Sequence, residues 1–263
     1  MFAISTHLYV ADRLDRDHLV EIAAHGFEAV EVFAVRDHFD YHDRRAGIAL
    51  AEWLDDTRLV LHSLHAPIAR RYVNGSWQEG LSLAATDEAR RKAALDETMA
   101  ALDVAAAVPY KVLVVHCGVP APYAAPGDNN RGSLVRSLEE LSPVASRYGV
   151  QLAIEVIPNE LSTPSALVDV IESDIDATGL GICMDVGHTV RIQQDPVAVI
   201  KQCSRRLYDF HLKDVTAAQA QGKATELGKG VIDVVAVVKT LRKMKWPYHL
   251  ALEYEANANA PVP

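Results

Sequence analysis

The stretch Lys111–Glu155, KVLVVHCGVPAPYAAPGDNNRGSLVRSLEELSPVASRYGVQLAIE, changes its hydrophobic period twice. Lys111–His116 is a short β-branched run, Ser133–Tyr148 carries apolar residues at helical spacing, and Gln151–Glu155 returns to an apolar run. Gly149 stands between the helix and the second strand, where a left-handed residue ends a helix without strain. Two apolar strands joined through a helix form a parallel pair, closed by a right-handed crossover.

The same unit recurs in both directions. Upstream, the strand candidates are Phe2–His7, Ala29–Phe33 and Leu59–His65; downstream they are Gly181–Asp185, Leu207–His211 and His249–Glu253. Helical spacing fills the gaps at Asp15–His25, Arg44–Thr57, Asp87–Ala107, Pro164–Ser173, Pro196–Cys203 and Ile232–Lys245. Thr163-Pro164 and Asp195-Pro196 pair a capping side chain with proline at the first helical position. On Asp87–Ala107, the run Arg90-Arg91-Lys92 reads as a solvated face over a core stripe. Eight strands in this alternation specify a closed (β/α)₈ TIM barrel, read as one domain over 1–263. No G-x-G-x-x-G follows the first strand, which argues against a dinucleotide-binding sheet. Ten residues follow Glu253, so a regular eighth helix is not expected there. The flank it would cover is then open, or masked by a second copy in a homo-oligomer.

Composition narrows the partners. Lys plus Arg (26) against Asp plus Glu (35) leaves a net charge of −9, which argues against nucleic acid and anionic membrane as partners. No run is long enough to span a bilayer, and no basic segment followed by an apolar one marks a leader peptide at the start. Cys117, Cys183 and Cys203 are too few and odd in number for a disulfide framework, and a reducing cytoplasm is the expected compartment. Arg36, Arg70, Arg71 and Arg131 lie in or near the expected mouth loops, where arginines either meet solvent or bind phosphate. Trp77, in the loop 66–85, is placed to cover a sugar ring.

In such a barrel the chemistry gathers where strands end. His7, Glu31, His65, His116, Glu155, Asp185, His211 and Glu253 stand at or near the eight ends, with His188 and Lys213 just beyond two of them. Taken singly, Asp185 reads equally as a turn cap and His211 as a core histidine. Taken together, Glu155, Asp185, His211 and Glu253 bring three carboxylates to one mouth, where they would repel and raise one another's pKa values. A divalent cation removes that penalty. An oxygen-rich set with a single imidazole suits Mn²⁺, Mg²⁺ or Co²⁺, with Zn²⁺ also possible.

The segments ISTHLY, GFEAVEVF, LHAP, VLVVHCG, IEVIPN, MDVGH, FHLKDV, LGKG and LALEYE resemble the xylose-isomerase-like TIM-barrel superfamily. That group holds sugar isomerases and epimerases, inosose dehydratase and abasic-site nucleases of the endonuclease IV class. The resemblance implies one metal ion, commonly Mn²⁺, on Glu155, Asp185, His211 and Glu253. It also implies proton exchange by Glu155 and Glu253, and His188 on a substrate hydroxyl. His65, His116, His7 and Lys213 complete the expected substrate-binding set. The nuclease branch carries an Asp-x-His before its Leu-Gly-x-Gly segment, whereas here Gly222-Lys-Ala-Thr-Glu226 precedes Leu227-Gly-Lys-Gly230.

The expected activity is therefore sugar or keto-sugar isomerisation or epimerisation, by proton abstraction next to a carbonyl. A divalent cation would stabilise the resulting enediolate. The alternative is an inosose-dehydratase-like lyase on a polyol or keto-sugar. An abasic-site phosphodiesterase and a non-catalytic carbohydrate-binding subunit rank below both.

Overall fold

A computed structural model of the chain describes residues 2–175, 179–219 and 222–255. Eight parallel strands close into a barrel: β1 (Phe2–Ser5), β2 (Ala29–Phe33), β3 (Val60–His65), β6 (Val112–His116), β7 (Gln151–Glu155), β8 (Leu180–Asp185), β9 (Leu207–Leu212) and β12 (Leu250–Leu252). Phe2 pairs with Leu250, so the last strand seals against the first. Around them run α1 (Arg16–Ala24), α2 (Arg44–Thr57), α3 (Glu88–Asp103), α4 (Arg131–Tyr148), α5 (Pro164–Asp169), α6 (Val186–Arg191), α7 (Pro196–Cys203) and α8 (Val234–Lys243). Two short hairpins complete the described chain, β4 (Ala69–Val73) with β5 (Ser76–Gly80), and β10 (Asp214–Val215) with β11 (Ala224–Thr225).

Local chemistry sets the element ends. The Asp15 side chain accepts from the backbone N–H groups of Asp17 and His18, and the Thr163 and Asp195 side chains cap helices that begin with proline. Gly149 closes α4 at φ 69°, a left-handed conformation in which a Cβ is strained. The expected first strand is shorter than read, because Thr6–Tyr9 turn into a 3₁₀ segment over the mouth. α6, absent from the sequence reading, follows β8 directly. The tail after β12, on which the missing-helix expectation falls, lies outside the described residues from 256 onward.

The helices cover the outside of the barrel through one continuous apolar layer that includes Leu19, Leu50, Leu102, Leu138, Ile154, Ile200 and Leu241. Inside, small residues fill the narrow middle: Ala3, Ala29 and Ala251 form one cluster, and Val112, Val114, Ala153 and Cys183 another. Side chains alternate across a strand, so residues two positions beyond these point inward as well. That places Glu31, Glu155, Asp185 and Glu253 above the alanine and cysteine layer.

Arg91 corrects the reading of α3's polar face. It is 2% exposed and bonded to Glu88, Glu140 and Ser137, so it pins α3 to α4. Three of the four mouth arginines are committed too: Arg36 and Arg70 meet Glu97, and Arg71 meets Asp37 at 2.7 Å.

Candidate active site

His211 sits at the centre of the site, fully buried. Its Nδ1 lies 3.1 Å from Glu155 Oε1, 3.1 Å from Glu253 Oε2 and 4.0 Å from Asp185 Oδ2. Its Nε2 lies 3.1 Å from Glu31 Oε2, which also accepts a hydrogen bond of 2.8 Å from Ser63 Oγ. Both ring nitrogens therefore face acceptors, an arrangement that favours a charged ring as long as no cation takes the Nδ1 lone pair. Burial opposes that charge, but Glu31, Glu253 and Glu155 raise its pKa well above the ordinary value.

Glu155 is held from the other side. Its Oε2 lies 3.1 Å from His65 Nε2 and 3.0 Å from His116 Nε2. His65 Nδ1 faces the Ala66 carbonyl at 2.8 Å, so both of its nitrogens meet acceptors as well. Burial works against a charged His65, yet the bond to Glu155 raises its pKa; for His116, burial prevails and its pKa falls. For Glu155 and Glu253, desolvation favours the neutral acid but is outweighed. His211 and His116 hold Glu155 well below the usual carboxylate range, and Lys213 with His211 does the same for Glu253.

The DVGH and HLKD segments meet through Lys213. Its ammonium, although buried, lies 2.6 Å from Asp185 Oδ2, 2.8 Å from Glu253 Oε2 and 2.8 Å from Glu255 Oε1. Burial alone would discharge the amine, but Asp185, Glu253 and Glu255 hold its pKa well above normal. The lysine stem runs over Gly187, where a Cβ would come within 2.7 Å of Cγ and Cδ. Glycine is what lets the stem pass. Asp185 does cap the turn, its Oδ1 accepting the His188 N–H at 2.6 Å, while its Oδ2 lies 2.6 Å from Lys213 Nζ and 4.0 Å from His211 Nδ1. The neighbouring Asp214 works structurally, its two oxygens accepting from the backbone of Gly228, Gly230 and Ile232.

One ligand atom each from Glu155, Asp185, His211 and Glu253 lies within 4.8 Å of the other three. Asp185 Oδ2 and Glu253 Oε2 are buried without a directed hydrogen bond, despite their closeness to Lys213. Buried carboxylate oxygens converging in this way fit a divalent cation, and three oxygens with one nitrogen match hard-to-borderline ions. Cys183 lies within the same reach of Glu155 and His211, but burial pushes its thiol pKa well up.

His188 stands 3.8 Å from Glu255 Oε1, and Arg191 stands 3.6 Å from Glu255 Oε2. His7 lies within electrostatic reach of Glu253 and Glu255, but its ring packs against aromatic side chains. It stacks on Trp77 with centroids 5.9 Å apart and planes within 5°, and it tilts against Phe33 at 4.5 Å. Phe33 stacks in turn on His65 at 4.6 Å. Sequence reasoning placed Glu31 among the strand-end residues of the mouth without giving it a role, and passed over Ser63 and Glu255. LALEYE carries Glu253 and Glu255 two apart, the strand period that puts both on one face.

A family model described as xylose isomerase-like TIM barrel matches residues 19–262. A 3-oxo-isoapionate decarboxylase of Pectobacterium atrosepticum is 31% identical over 106 residues. That match spans 38% of this chain and 38% of the relative's length. Among solved structures, a D-tagatose 3-epimerase-like protein superposes with a TM-score of 0.77 at 22% identity, covering 97% of this chain and 90% of its own. The IOLI protein, solved with a bound zinc atom, superposes with a TM-score of 0.74 at 17% identity, covering 97% and 88%. At those identities the likeness speaks to the fold.

Proposed function

The chain belongs to the xylose isomerase-like TIM-barrel family, and on that footing we propose that it is a divalent-metal-dependent sugar or keto-sugar isomerase or epimerase. The observation that carries this reading is the convergence of Glu155, Asp185, His211 and Glu253, three of them carboxylates. These four would hold the cation, Mn²⁺ foremost, with Mg²⁺, Co²⁺ or Zn²⁺ able to replace it. When bound, it supplies the Lewis acidity that stabilises charge as an enediolate forms.

The chain's own groups do the rest. Glu155 and Glu253 are held as carboxylates, and they come from strands separated by β8 and β9. They flank His211 Nδ1 at equal distances of 3.1 Å, so one removes the substrate proton and the other returns it. Lys213 and His188 supply donors to substrate oxygens, and His65 and His116 fix Glu155. His7, Phe33 and Trp77 offer an aromatic surface to the apolar face of a sugar. With Arg36, Arg70 and Arg71 neutralised by Glu97 and Asp37, these arginines are not free for a phosphate.

The same first step serves a second reading, a lyase. Loss of a β-hydroxyl from the enediolate is dehydration. The partial match to a decarboxylase supports a related variant in which loss of CO₂ generates the enediolate directly. A phosphodiesterase of the abasic-site class would need more than one metal per chain, and a carbohydrate-binding subunit would need no chemistry at all.

Incubation with Mn²⁺ and a panel of ketoses and inososes in D₂O tests the proposal. Deuterium at the carbon next to the carbonyl, read by NMR, is the expected result, and the product distinguishes isomerase, epimerase and lyase. No exchange with any member of the panel would count against all three.

A further inference from the structure

We propose that Glu31 is a positioning residue for the cation, acting through His211; this rests on the metal reading above. Glu31 lies in β2, fully buried, and its Oε2 is 3.1 Å from His211 Nε2. The register between β2 and β3 shifts between Val30 and Glu31, so that Ser63 rather than His62 stands opposite Glu31. The shift puts Ser63 Oγ 2.8 Å from the same Oε2, and the serine donates to it. A carboxylate oxygen is thereby pinned at one end of the imidazole, while the other end, Nδ1, points at Glu155, Glu253 and Asp185.

A neutral imidazole carries one N–H and one lone pair, and only the lone pair can bind a cation. Glu31 accepts from Nε2–H and so keeps the proton on the side away from the carboxylates. When a cation displaces the Nδ1 proton, the lone pair is left on Nδ1, facing them. Without Glu31, the N–H gains more by sitting on Nδ1, where Glu155 and Glu253 accept it. In that tautomer the ring presents a proton to the place a cation must enter. Carboxylate partners of ligand histidines act in this way, and their loss typically lowers metal affinity 10–100-fold.

The test is Co²⁺ and Mn²⁺ affinity by calorimetry, with the visible spectrum of the Co²⁺ complex, for the unaltered protein, Glu31→Gln and Glu31→Ala. Glutamine keeps an acceptor oxygen but not the charge. The expected losses are about tenfold for Glu31→Gln and about 100-fold for Glu31→Ala, with a changed Co²⁺ spectrum in the alanine variant. If Glu31→Ala fails to fold, as judged by circular dichroism, the nearly isosteric glutamine variant carries the test. Tight binding by the unaltered protein and by both variants, with identical spectra, would overturn the role of Glu31 and leave the metal reading intact. No binding by the unaltered protein would overturn both.

Discussion

Lys213 is the residue on which the charge balance of the mouth turns. Its ammonium lies within 2.8 Å of Asp185, Glu253 and Glu255. Removing one partner of a buried ionic group leaves the others uncompensated, at a cost of about 3–5 kcal/mol. Lys213→Met should therefore lower the stability of the metal-free protein by about that much in urea titration, with saturating Mn²⁺ restoring part of it. Equal losses with and without Mn²⁺ would show that the lysine and the cation do not share these carboxylates. Gly187→Ala should act in the same direction and more weakly, by about 1–3 kcal/mol, because its Cβ displaces the lysine stem. At this scale the sequence was informative about types and silent about pairs. His7, Glu155, Asp185, His211 and Glu253 could be read from strand ends, but the Glu31 partner of His211 stands 180 residues away. Nothing local marks such a pairing.

Among elements, α3 and the β4–β5 hairpin show what periodicity leaves out. The hairpin carries Trp77 over the mouth, and it is anchored both by Tyr72, buried with Val10, Phe33 and Val35, and by Glu97 of α3. That carboxylate accepts from Arg70 at 2.8 Å, Tyr41 at 2.7 Å and His42 at 2.8 Å, and it also meets Arg36. Burial favours the neutral acid, yet these donors pull its pKa down to about 2. A depressed carboxylate contributes stability above its unfolded value of 4.5 and loses it as the pH falls toward 2. Glu97→Gln should quicken proteolytic cleavage within the 69–80 hairpin while the barrel's melting temperature falls by only a few degrees. Unchanged cleavage would mean that other contacts hold the hairpin. The hairpin escaped notice because Asn74-Gly75 joins strands too short and polar to register against a barrel's alternation, and because Ser76–Gly80 is exposed throughout. Arg70 and Arg71, two of the arginines that looked like candidate phosphate binders, hold this element down, and Arg36 shares Glu97 with Arg70.

Over the whole molecule the barrel was legible, because eight parallel strands need apolar runs and seven crossovers need amphipathic helices, and both leave periodic traces. Contacts between the loops of neighbouring strands leave none, and His38 is an example. Its Nδ1 donates to the Asp12 carbonyl at 2.6 Å, and Nε2 accepts from Thr6 Oγ1 at 3.0 Å, which ties β1's exit to the loop after β2. Desolvation lowers its pKa from 6.5 to about 4. A histidine with a depressed folded value is neutral in the fold, so the unfolded chain binds the extra proton between those limits. Its contribution is complete above pH 6.5 and is lost as the pH falls toward 4, a loss of about 3 kcal/mol. Urea titrations from pH 7 to 4 should show that decline, and His38→Gln should flatten it. A stability profile with the same slope in the variant would assign the decline elsewhere. Among the described residues, no helix is long and apolar enough to cross a membrane.

Equilibrium dialysis against Mn²⁺ followed by elemental analysis counts the divalent cations held by Glu155, Asp185, His211 and Glu253. One manganese per chain is expected, falling to none in Asp185→Asn and in His211→Asn at the same free Mn²⁺. Two or more per chain, or the same content in both variants, would contradict it.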